Sequence, residues 1–276
     1  MTTASQNGQR IELISDGPAL LTLENGVARL TLNRPTAANG MSVELLKAVH
    51  AAIMTCHGRP DLRVLILRGA GANFCAGGDV KDFASRGEGL PDYLREATAY
   101  LQIVCGGLVR LEAPVVTGVQ GYAAGGGGLG LVCASDFVIA GASAKFLAGA
   151  TRAGMAPDGG SSVTLQRLVG FRRAMDIVMR NPVIGADEAL SIGLITAVAP
   201  DDRLDHDIDV LAKTLAQGAP KALAAAKRLL WNGLGLGFEA CLPEEARTVA
   251  ELARTADAKE GLAAVIEKRP ARFTGQ

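Results

Sequence analysis

The alternation of apolar and polar residues near the start of the chain predicts a β-hairpin followed by a helix. Residues 20–23 and 27–32 are predicted strands, and Asn25-Gly26 between them can supply the positive φ angles of a tight turn. Ser42 is a good N-cap for the helix that follows. The predicted apolar face of that helix comprises Leu45, Leu46, Val49 and Ile53.

Short apolar runs in the middle of the chain predict strands that are covered on both faces. They are residues 64–67, 115–119 and 137–140, with a shorter candidate at 144–147. Pro91 suits the first turn of a long helix that reaches about Leu111. Because strands and helices alternate in this region, the fold class predicted is α/β with layered strands and helices.

From Gly159 onward the periodicity is mostly helical. Asp187 is the predicted N-cap of a short helix that Gly193 ends, and residues 195–198 are the last predicted strand. The other predicted helices cover residues 161–169, 172–179, 203–217, 219–232, 243–256 and 258–268. We therefore divide the chain into a tail (1–10), a core (11–200) and a C-terminal helical segment (201–276).

Residues 121–131 contain four consecutive glycines, at 125–128, between two apolar runs. Glycine costs backbone entropy, so such a run needs a physical reason. If a helix begins near Gly127, its first N–H groups lack intrahelical partners and can hold an oxygen that becomes negative. The run is equally compatible with a flexible turn or with close packing of a helix on a strand.

The composition narrows the class of protein. The chain has 28 basic and 28 acidic side chains among 276 residues, which gives no support for binding to nucleic acid or a membrane surface. Its start lacks the pattern of a signal peptide, and residues 1–10 are expected to be a disordered tail. No cysteines form a CxxC pair, so we expect reduced thiols in a cytoplasmic protein. The cysteines are Cys56, Cys75, Cys105, Cys133 and Cys241.

Two glycine-rich loops each follow a predicted buried strand, at residues 74–79 and 121–131. Neither has the lysine of a phosphate loop or a clean dinucleotide fingerprint. Together they resemble the enoyl-CoA hydratase/isomerase (crotonase) family, and the pattern is most similar to its epoxyphenylacetyl-CoA and enoyl-CoA isomerases. Further matching residues are Asn33-Arg34-Pro35, 121–136, 157–160, 167–170, Gly185-Ala186 with Ala189, Gly193-Leu194, 267–270 and Phe273.

The resemblance implies a crotonase-like spiral of ββα units and a C-terminal helical segment that builds homotrimers, which often pair as hexamers. It implies an acyl-CoA thioester substrate, with coenzyme A as part of that substrate and no permanently bound cofactor or metal. It also implies two backbone N–H donors to the thioester oxygen. The first matching residue is Gly78. For the second, counting from Asp136 gives Gly127, which we favour, and counting from Gly121 gives Gly126.

The same resemblance assigns the remaining binding residues. Ala76, Gly77 and Gly126 match positions that bind coenzyme A. Lys268 and Phe273 match a C-terminal segment that in relatives lies near the adenine of coenzyme A, often that of a neighbouring subunit. An ordinary helix end explains these last two residues equally well.

The acid/base positions depart from those of hydratases, which use two glutamates. The matching residues here are Gly130 (Leu129 by the other count) and Ala150. The carboxylate in a matching place is Asp158, which resembles the aspartate of epoxyphenylacetyl-CoA isomerases and of 4-chlorobenzoyl-CoA dehalogenases. Asp158 before Gly-Gly-Ser-Ser is also a good helix N-cap. The dehalogenase chemistry needs a histidine where this chain has Gln102.

These residues predict an isomerase that moves a double bond, or rearranges a ring, through a thioester enolate. Gly78 and Gly127 would hold the enolate oxygen, and Asp158 would move the proton, since one base can take a proton from one carbon and return it to another. Two alternatives stay open: a hydratase with non-standard acid/base residues, and an acyl-CoA-binding protein with little activity.

Overall fold

Residues 10–276, which the computed structural model describes, form ten strands and eleven α-helices. The predicted tail lies outside the described residues except for Arg10. The strands are β1 (Ile11–Ile14), β2 (Ala19–Glu24), β3 (Val27–Leu32), β4 (Val64–Gly69), β5 (Val115–Val119), β6 (Tyr122–Ala124), β7 (Phe137–Gly141), β8 (Lys145–Leu147), β9 (Ile184–Gly185) and β10 (Ala197–Ala199). The helices are α1 (Val43–His57), α2 (Val80–Ser85), α3 (Leu90–Arg110), α4 (Gly125–Cys133), α5 (Ser161–Val169), α6 (Phe171–Arg180), α7 (Ala186–Ser191), α8 (Leu204–Ala216), α9 (Pro220–Gly233), α10 (Phe238–Leu252) and α11 (Ala256–Glu267).

Seven of the strands form one sheet in the order β1-β2-β3-β4-β5-β7-β10. The first three strands pair antiparallel, and each later strand pairs parallel with its neighbour. A second, smaller sheet has the order β6-β8-β9. Because the carboxyl ends of β4, β5 and β7 meet at one edge of the large sheet, the loops that follow them can share a site.

The central strand β4 shows why the apolar runs are continuous. Leu65 and Leu67 point into a large core cluster with α1 and α3, whereas Val64 and Ile66 point into a second cluster with α8. Side chains alternate between the two faces of a strand, so a strand covered on both faces needs apolar residues at every position. The expected α/β layering therefore has helices on both sides of the sheet.

Local sequence signals predicted the first elements correctly. Asn25 and Gly26 have φ angles of 50° and 79°, as a tight hairpin turn requires. The Ser42 hydroxyl accepts a hydrogen bond from the backbone N–H of Leu45 at 3.2 Å, which confirms the predicted N-cap of α1. The long helix predicted from Pro91 is also confirmed, as α3.

Several predicted boundaries of helices and strands were wrong. The N-cap of α7 is Gly185, and Asp187 lies in the first turn, where its charge favours the helix N-terminus without capping it. Helix α10 begins at Phe238 and contains Pro243, which was the predicted start. The last strand covers 197–199 instead of 195–198. The short elements β1, α2, β6 and β9 gave no periodic signal and were not predicted.

The C-terminal part of the described chain contains only helices after β10 ends at Ala199. Its first helix, α8, is nevertheless part of the core, because Leu204, Ile208 and Ala212 cover the face of the sheet that carries Ile66. None of the helices in residues 10–276 is both long and apolar enough to cross a membrane.

Helix α9 is fixed to the core by a buried ion pair. The Lys227 ammonium lies 2.8 Å from the Asp136 carboxylate, with side-chain exposures of 6% and 11%. Lys227 also donates hydrogen bonds to the carbonyls of Leu108 and Ala113, at 2.8 and 3.1 Å. The Trp231 indole N–H donates to the same carboxylate at 2.7 Å. Because all three ammonium protons have acceptors, the buried charge is fully satisfied.

Candidate active site

The loops that follow β4 and β5 pair with each other at the carboxyl edge of the sheet. The Phe74 N–H donates to the Gln120 carbonyl at 2.7 Å, and the Cys75 N–H donates to the Tyr122 carbonyl at 3.0 Å. The Ala124 N–H returns a bond to the Cys75 carbonyl at 2.9 Å. The two glycine-rich loops of the sequence therefore form one structural unit.

Gly78 has a backbone N–H without an acceptor among residues 10–276. A third segment pairs with this loop: the Met41 N–H donates to the Gly77 carbonyl at 2.8 Å, and the Asp79 N–H donates to the Met41 carbonyl at 3.2 Å. In a parallel pairing these flanking bonds leave the N–H of the residue between them unused. Glycine at position 78 leaves room for the ring of Phe83, because a Cβ there would overlap that ring unless it moved.

The glycine run begins helix α4, two residues earlier than the predicted start near Gly127. No side chain caps this helix, and within the described chain the N–H groups of Gly126 and Gly127 donate no hydrogen bond. The run also lies next to Gly78: a Cβ built on Gly125 would be 3.2 Å from the Gly77 Cα and 3.8 Å from the Gly78 nitrogen. The structure thus brings together unpaired amides from two separate turns.

Close packing explains most of the four glycines. Gly125 has a φ of +59°, which side chains rarely tolerate. A Cβ on Gly127 would lie 2.5 Å from the Met41 side chain, and one on Gly128 would overlap the Cys75 carbonyl oxygen. The expectation of a helix packed closely on a strand is therefore confirmed for these positions. Gly126 differs from these positions, because the group that occupies the place where its Cβ would lie is a carboxylate.

That carboxylate belongs to Asp158. A Cβ on Gly126 would overlap the Asp158 carboxylate, so the two residues are in direct contact. The N-cap of α5 is Gly160 without a side-chain bond, and the Ser161 N–H donates to the backbone carbonyl of Asp158 at 3.0 Å. The interpretation of Asp158 as a side-chain helix cap is therefore wrong. No side chain of residues 10–276 donates a hydrogen bond to its carboxylate.

The environment of Asp158 disfavours its charged form. Burial raises the pKa of the Asp158 carboxyl above its ordinary value of 3.8, and the residue's own backbone N–H offsets this only in part. A Cβ built on the neighbouring Gly159 would lie 3.4 Å from the Leu101 side chain and 3.4 Å from the Cys105 sulfur. A carboxylate that is poorly solvated and lacks a side-chain partner is a stronger base than one in water.

This shift predicts a pH-dependent difference in stability between the protein and its Asp158→Asn variant. An acid whose folded-state pKa is raised contributes stability below its unfolded pKa of about 4 and loses it as the pH rises through the folded value. We therefore expect Asp158→Asn to be the more stable form at pH 7. Thermal unfolding from pH 7 down to pH 3 should show the difference shrinking, and a constant difference would contradict the shift.

The two positions that match the glutamates of hydratases lie around Asp158 but carry no carboxylate. A Cβ on Gly130 would be 3.8 Å from the Gly159 Cα, so this position faces the Asp158 loop. Leu129, the position from the other count, lines a small cavity with Ala150 and Gly126. Within the described residues, Asp158 is the carboxylate in contact with the glycine run.

Two further residues of the first loop have structural partners. Asp79 accepts hydrogen bonds from Arg34 at 3.0 Å and from the Asp82 N–H at 3.1 Å, so it braces the loop and caps α2. Cys75 is fully buried, and burial raises the pKa of its thiol to about 12. A thiol with such a pKa is not a nucleophile at neutral pH.

The other predicted binding residues divide into two groups. Ala76 is exposed, and Gly77 is buried next to Gly78. Phe273 lies at the opposite edge of the sheet, in a groove with Arg63 and Pro114, which precede β4 and β5. Lys268 is exposed at the end of α11. Within one chain the structure does not bring Lys268 and Phe273 to the glycine loops, and their predicted role in binding coenzyme A stays a prediction.

Asparagine residues that hold the first loop were missed at the level of sequence. Asn39 is fully buried, and its amide donates to the carbonyls of Ala70, Asn73 and Phe74 at 2.8–3.1 Å. Asn73 accepts a bond from the Tyr122 N–H at 3.0 Å. The available signal was Asn39-Gly40, a pair that often adopts positive φ, but its partners are distant in sequence.

Comparisons with known proteins agree with this geometry. A family model described as enoyl-CoA hydratase/isomerase matches residues 22–276. A probable enoyl-CoA hydratase of Rhodobacter capsulatus is 37% identical over 254 residues, which cover 92% of this chain and 96% of that protein. The 1,2-epoxyphenylacetyl-CoA isomerase of Escherichia coli (strain K12) is 32% identical over 259 residues, covering 92% and 97%. The crystal structure of an enoyl-CoA hydratase from Bacillus anthracis has a TM-score of 0.89 at 30% identity and covers 94% and 100%.

The chain therefore belongs to the enoyl-CoA hydratase/isomerase family and is an enzyme of that family. The expected crotonase-like α/β fold with C-terminal helices is confirmed. An acyl-CoA thioester substrate is consistent with the family. The predicted homotrimer or dimer of trimers and the predicted cytoplasmic location stay predictions.

Proposed function

We propose that this enzyme is an isomerase that moves the double bond of an enoyl-CoA, or rearranges the ring of an aryl-acetyl-CoA, through a thioester enolate. The observation that carries the proposal is the contact between the Asp158 carboxylate and Gly126 at the start of α4. The positions of both hydratase glutamates hold Gly130 and Ala150, so one carboxylate is available instead of two. One base suffices for moving a proton between two carbons.

The proposed reaction begins with a β,γ-unsaturated acyl-CoA. The Asp158 carboxylate removes a proton from the α-carbon, and the electron pair moves onto the thioester oxygen to form the enolate. The backbone N–H groups of Gly78 and Gly127 donate hydrogen bonds to that oxygen. When the electrons return, the γ-carbon takes the proton from Asp158, and the product is the α,β-unsaturated thioester. Asp158 ends as it began.

The two amides supply the larger part of the stabilisation in this scheme. Fixed donors aimed at a developing oxyanion each contribute about 3–4 kcal/mol, because they need no reorganisation during the reaction. The amides of Gly78, Gly126 and Gly127 have no acceptor in residues 10–276, which makes them available to a substrate. Gly127 is our choice for the second donor, and Gly126 is the alternative.

A hydratase is the second candidate, and it is favoured by the similarity to the probable enoyl-CoA hydratase of Rhodobacter capsulatus. One assay separates the candidates. Incubating the enzyme with β,γ-enoyl-CoA should produce the absorbance of a conjugated thioester. After incubation with α,β-enoyl-CoA, mass spectrometry should detect no product that has gained a water molecule. Water addition without double-bond migration would support the hydratase. Binding without turnover of either thioester would support a weakly active acyl-CoA-binding protein.

We propose that the remaining predicted binding residues act on coenzyme A as the family resemblance implies. Ala76, Gly77 and Gly126 would contact the thioester end of the ligand. Lys268 and Phe273 would reach the adenine from a neighbouring copy, within the proposed homotrimer or dimer of trimers. Phe273 lies at the far edge of the same chain's sheet, so a role in binding coenzyme A would have to be played toward a neighbouring copy.

Replacing Gly126 by alanine should lower the rate of isomerisation without unfolding the protein. The new methyl group would occupy the position of the Asp158 carboxylate. Asp158 is half-buried at the end of a loop, so its side chain can move aside. A base misplaced by about 1 Å can cost about 100-fold in rate. Steady-state kinetics and circular dichroism should therefore show a slow but folded enzyme.

The matched control is Gly130→Ala in the same helix. Its methyl group would meet nothing closer than 3.8 Å. Gly-to-Ala changes at compatible positions stabilise a protein by about 0.4–1 kcal/mol, so this variant should be at least as stable as the parent and as active. Equal activity of the two variants would contradict the assignment of Asp158 as the base.

A further inference from the structure

We propose that Asn39 and Asn73 are positioning residues that set the Gly78 amide relative to the glycine run. This inference rests on the proposed function, since it concerns the site that binds the thioester oxygen. Neither residue has a role in the scheme above, and neither touches the reacting atoms. Their side-chain amides instead connect the segments on which the two donor turns are built.

Asn39 holds the first turn. It is fully buried, and its two N–H groups are shared among the carbonyls of Ala70, Asn73 and Phe74. Its side-chain oxygen accepts a bond from the Arg34 N–H at 2.9 Å. One amide thus spans both ends of the loop after β4 and ties them to the segment before α1. A buried network of this kind is rigid only while every member is satisfied.

The backbone around Asn39 connects this hydrogen-bond network to Gly78. Ala38 and Asn39 both have positive φ angles, 49° and 54°, which turn the chain so that its carbonyls and amides face the loop. The Ala76 N–H donates to the Ala38 carbonyl at 3.0 Å, and the Met41 bonds described above flank Gly78. The direction of the Gly78 N–H therefore depends on a segment that Asn39 fixes.

Asn73 joins the first turn to the second. Its side-chain oxygen accepts the Tyr122 N–H, next to Gly121, and its own carbonyl accepts a bond from Asn39. A Cβ on Gly121 would lie 2.7 Å from this oxygen, so the two loops are in close contact there. The side-chain amides of Asn39 and Asn73 together connect the segment before α1, through the first loop, to the strand that leads into α4.

The test compares two matched pairs of variants. Asn39→Gly removes the amide but tolerates the positive φ, whereas Ala38→Gly changes the same backbone and removes no side-chain hydrogen bond. Asn73→Ala removes the acceptor for Tyr122, whereas Asn73→Asp keeps an oxygen in its place. Asn73 is half-buried in a loop, so its variants should fold even if Asn39→Gly does not.

We expect Asn39→Gly and Asn73→Ala to lower kcat by about 10- to 100-fold, because small displacements of a catalytic group are costly. Ala38→Gly should keep the parent kcat, and Asn73→Asp should recover most of it. The second readout is infrared spectroscopy of bound butyryl-CoA carrying ¹³C at its carbonyl. Hydrogen bonds from the amides should lower the carbonyl frequency in the parent, and the lowering should shrink in the two impaired variants.

The outcomes separate this inference from the proposed function. If folded Asn39→Gly and Asn73→Ala keep the parent carbonyl frequency and kcat, the positioning role is overturned. If the parent lowers the carbonyl frequency but catalyses no double-bond migration, the isomerase assignment fails, and the infrared comparison still decides the positioning role. A parent that leaves the carbonyl frequency unchanged overturns the positioning role, whereas the isomerase assignment is decided by double-bond migration alone.

Discussion

Asp158→Asn should lower the rate of double-bond migration by about 100- to 10,000-fold, the usual contribution of a positioned acid/base group. Asparagine has nearly the shape of aspartate but cannot accept the α-proton. The Asp158 side chain receives no hydrogen bond from another side chain in residues 10–276, so the exchange breaks no network. The amides of Gly78 and Gly127 are unchanged, and binding of acyl-CoA should persist. Stopped-flow absorbance and calorimetric titration measure the two effects.

The control for this variant is Asp79→Asn, a second carboxylate of the same region. Asp79 pairs with Arg34 and caps α2, so its loss should act mainly on stability. Asparagine can still cap α2, so the variant loses chiefly the charge that pairs with the partly buried Arg34, and we expect a lower melting temperature with a much smaller change in rate. If Asp79→Asn removed the activity and Asp158→Asn did not, the proton shuttle would have to be reassigned.

Lys227→Met should lower the free energy of unfolding by about 3–5 kcal/mol, because it leaves the buried Asp136 carboxylate without its cation. The carbonyls of Leu108 and Ala113 lose their donor at the same time. Burial lowers the pKa of Lys227, whereas the nearby Asp136 carboxylate opposes that shift. The close contact with Asp136 therefore favours the charged form of the lysine. Equilibrium unfolding in urea at one protein concentration measures the loss, since self-association would add a concentration-dependent contribution.

Lys47→Met is the matched control. Lys47 forms an ion pair with Glu96 at 2.7 Å, but both side chains are about half exposed, at 50% and 48%. Exposed pairs of this kind contribute little to stability, so this variant should unfold close to the parent. If the two methionine variants were equally stable, the Lys227 network would not be what fixes α9 to the core.

The sequence predicted the elements that short-range chemistry decides. The turn at Asn25-Gly26 and the cap at Ser42 depend on residues within a few positions, and both are as predicted. The cap predicted at Asp187 was wrong, because Gly185 in an extended conformation starts that helix two residues earlier. Local sequence contains several competing caps, and tertiary packing chooses among them.

The candidate site was predicted unevenly for a related reason. Resemblance to a family pointed to Gly78, the glycine run and Asp158, but local sequence left Asp158 equally suited to capping α5. The distinction depends on its contact with Gly126, which is distant in sequence. Asn39 was missed for the same reason, since its three acceptors are visible only after the loop has folded against it.

The unpaired amides of Gly78, Gly126 and Gly127 are main-chain groups, and this has an evolutionary consequence. No substitution removes a backbone N–H except one to proline. The hydrogen-bond donors of such a site are therefore inherited with the fold itself. The surrounding side chains at positions 130, 150 and 158 can then be exchanged one at a time. New reactions can arise on this scaffold through the relocation of a single carboxylate.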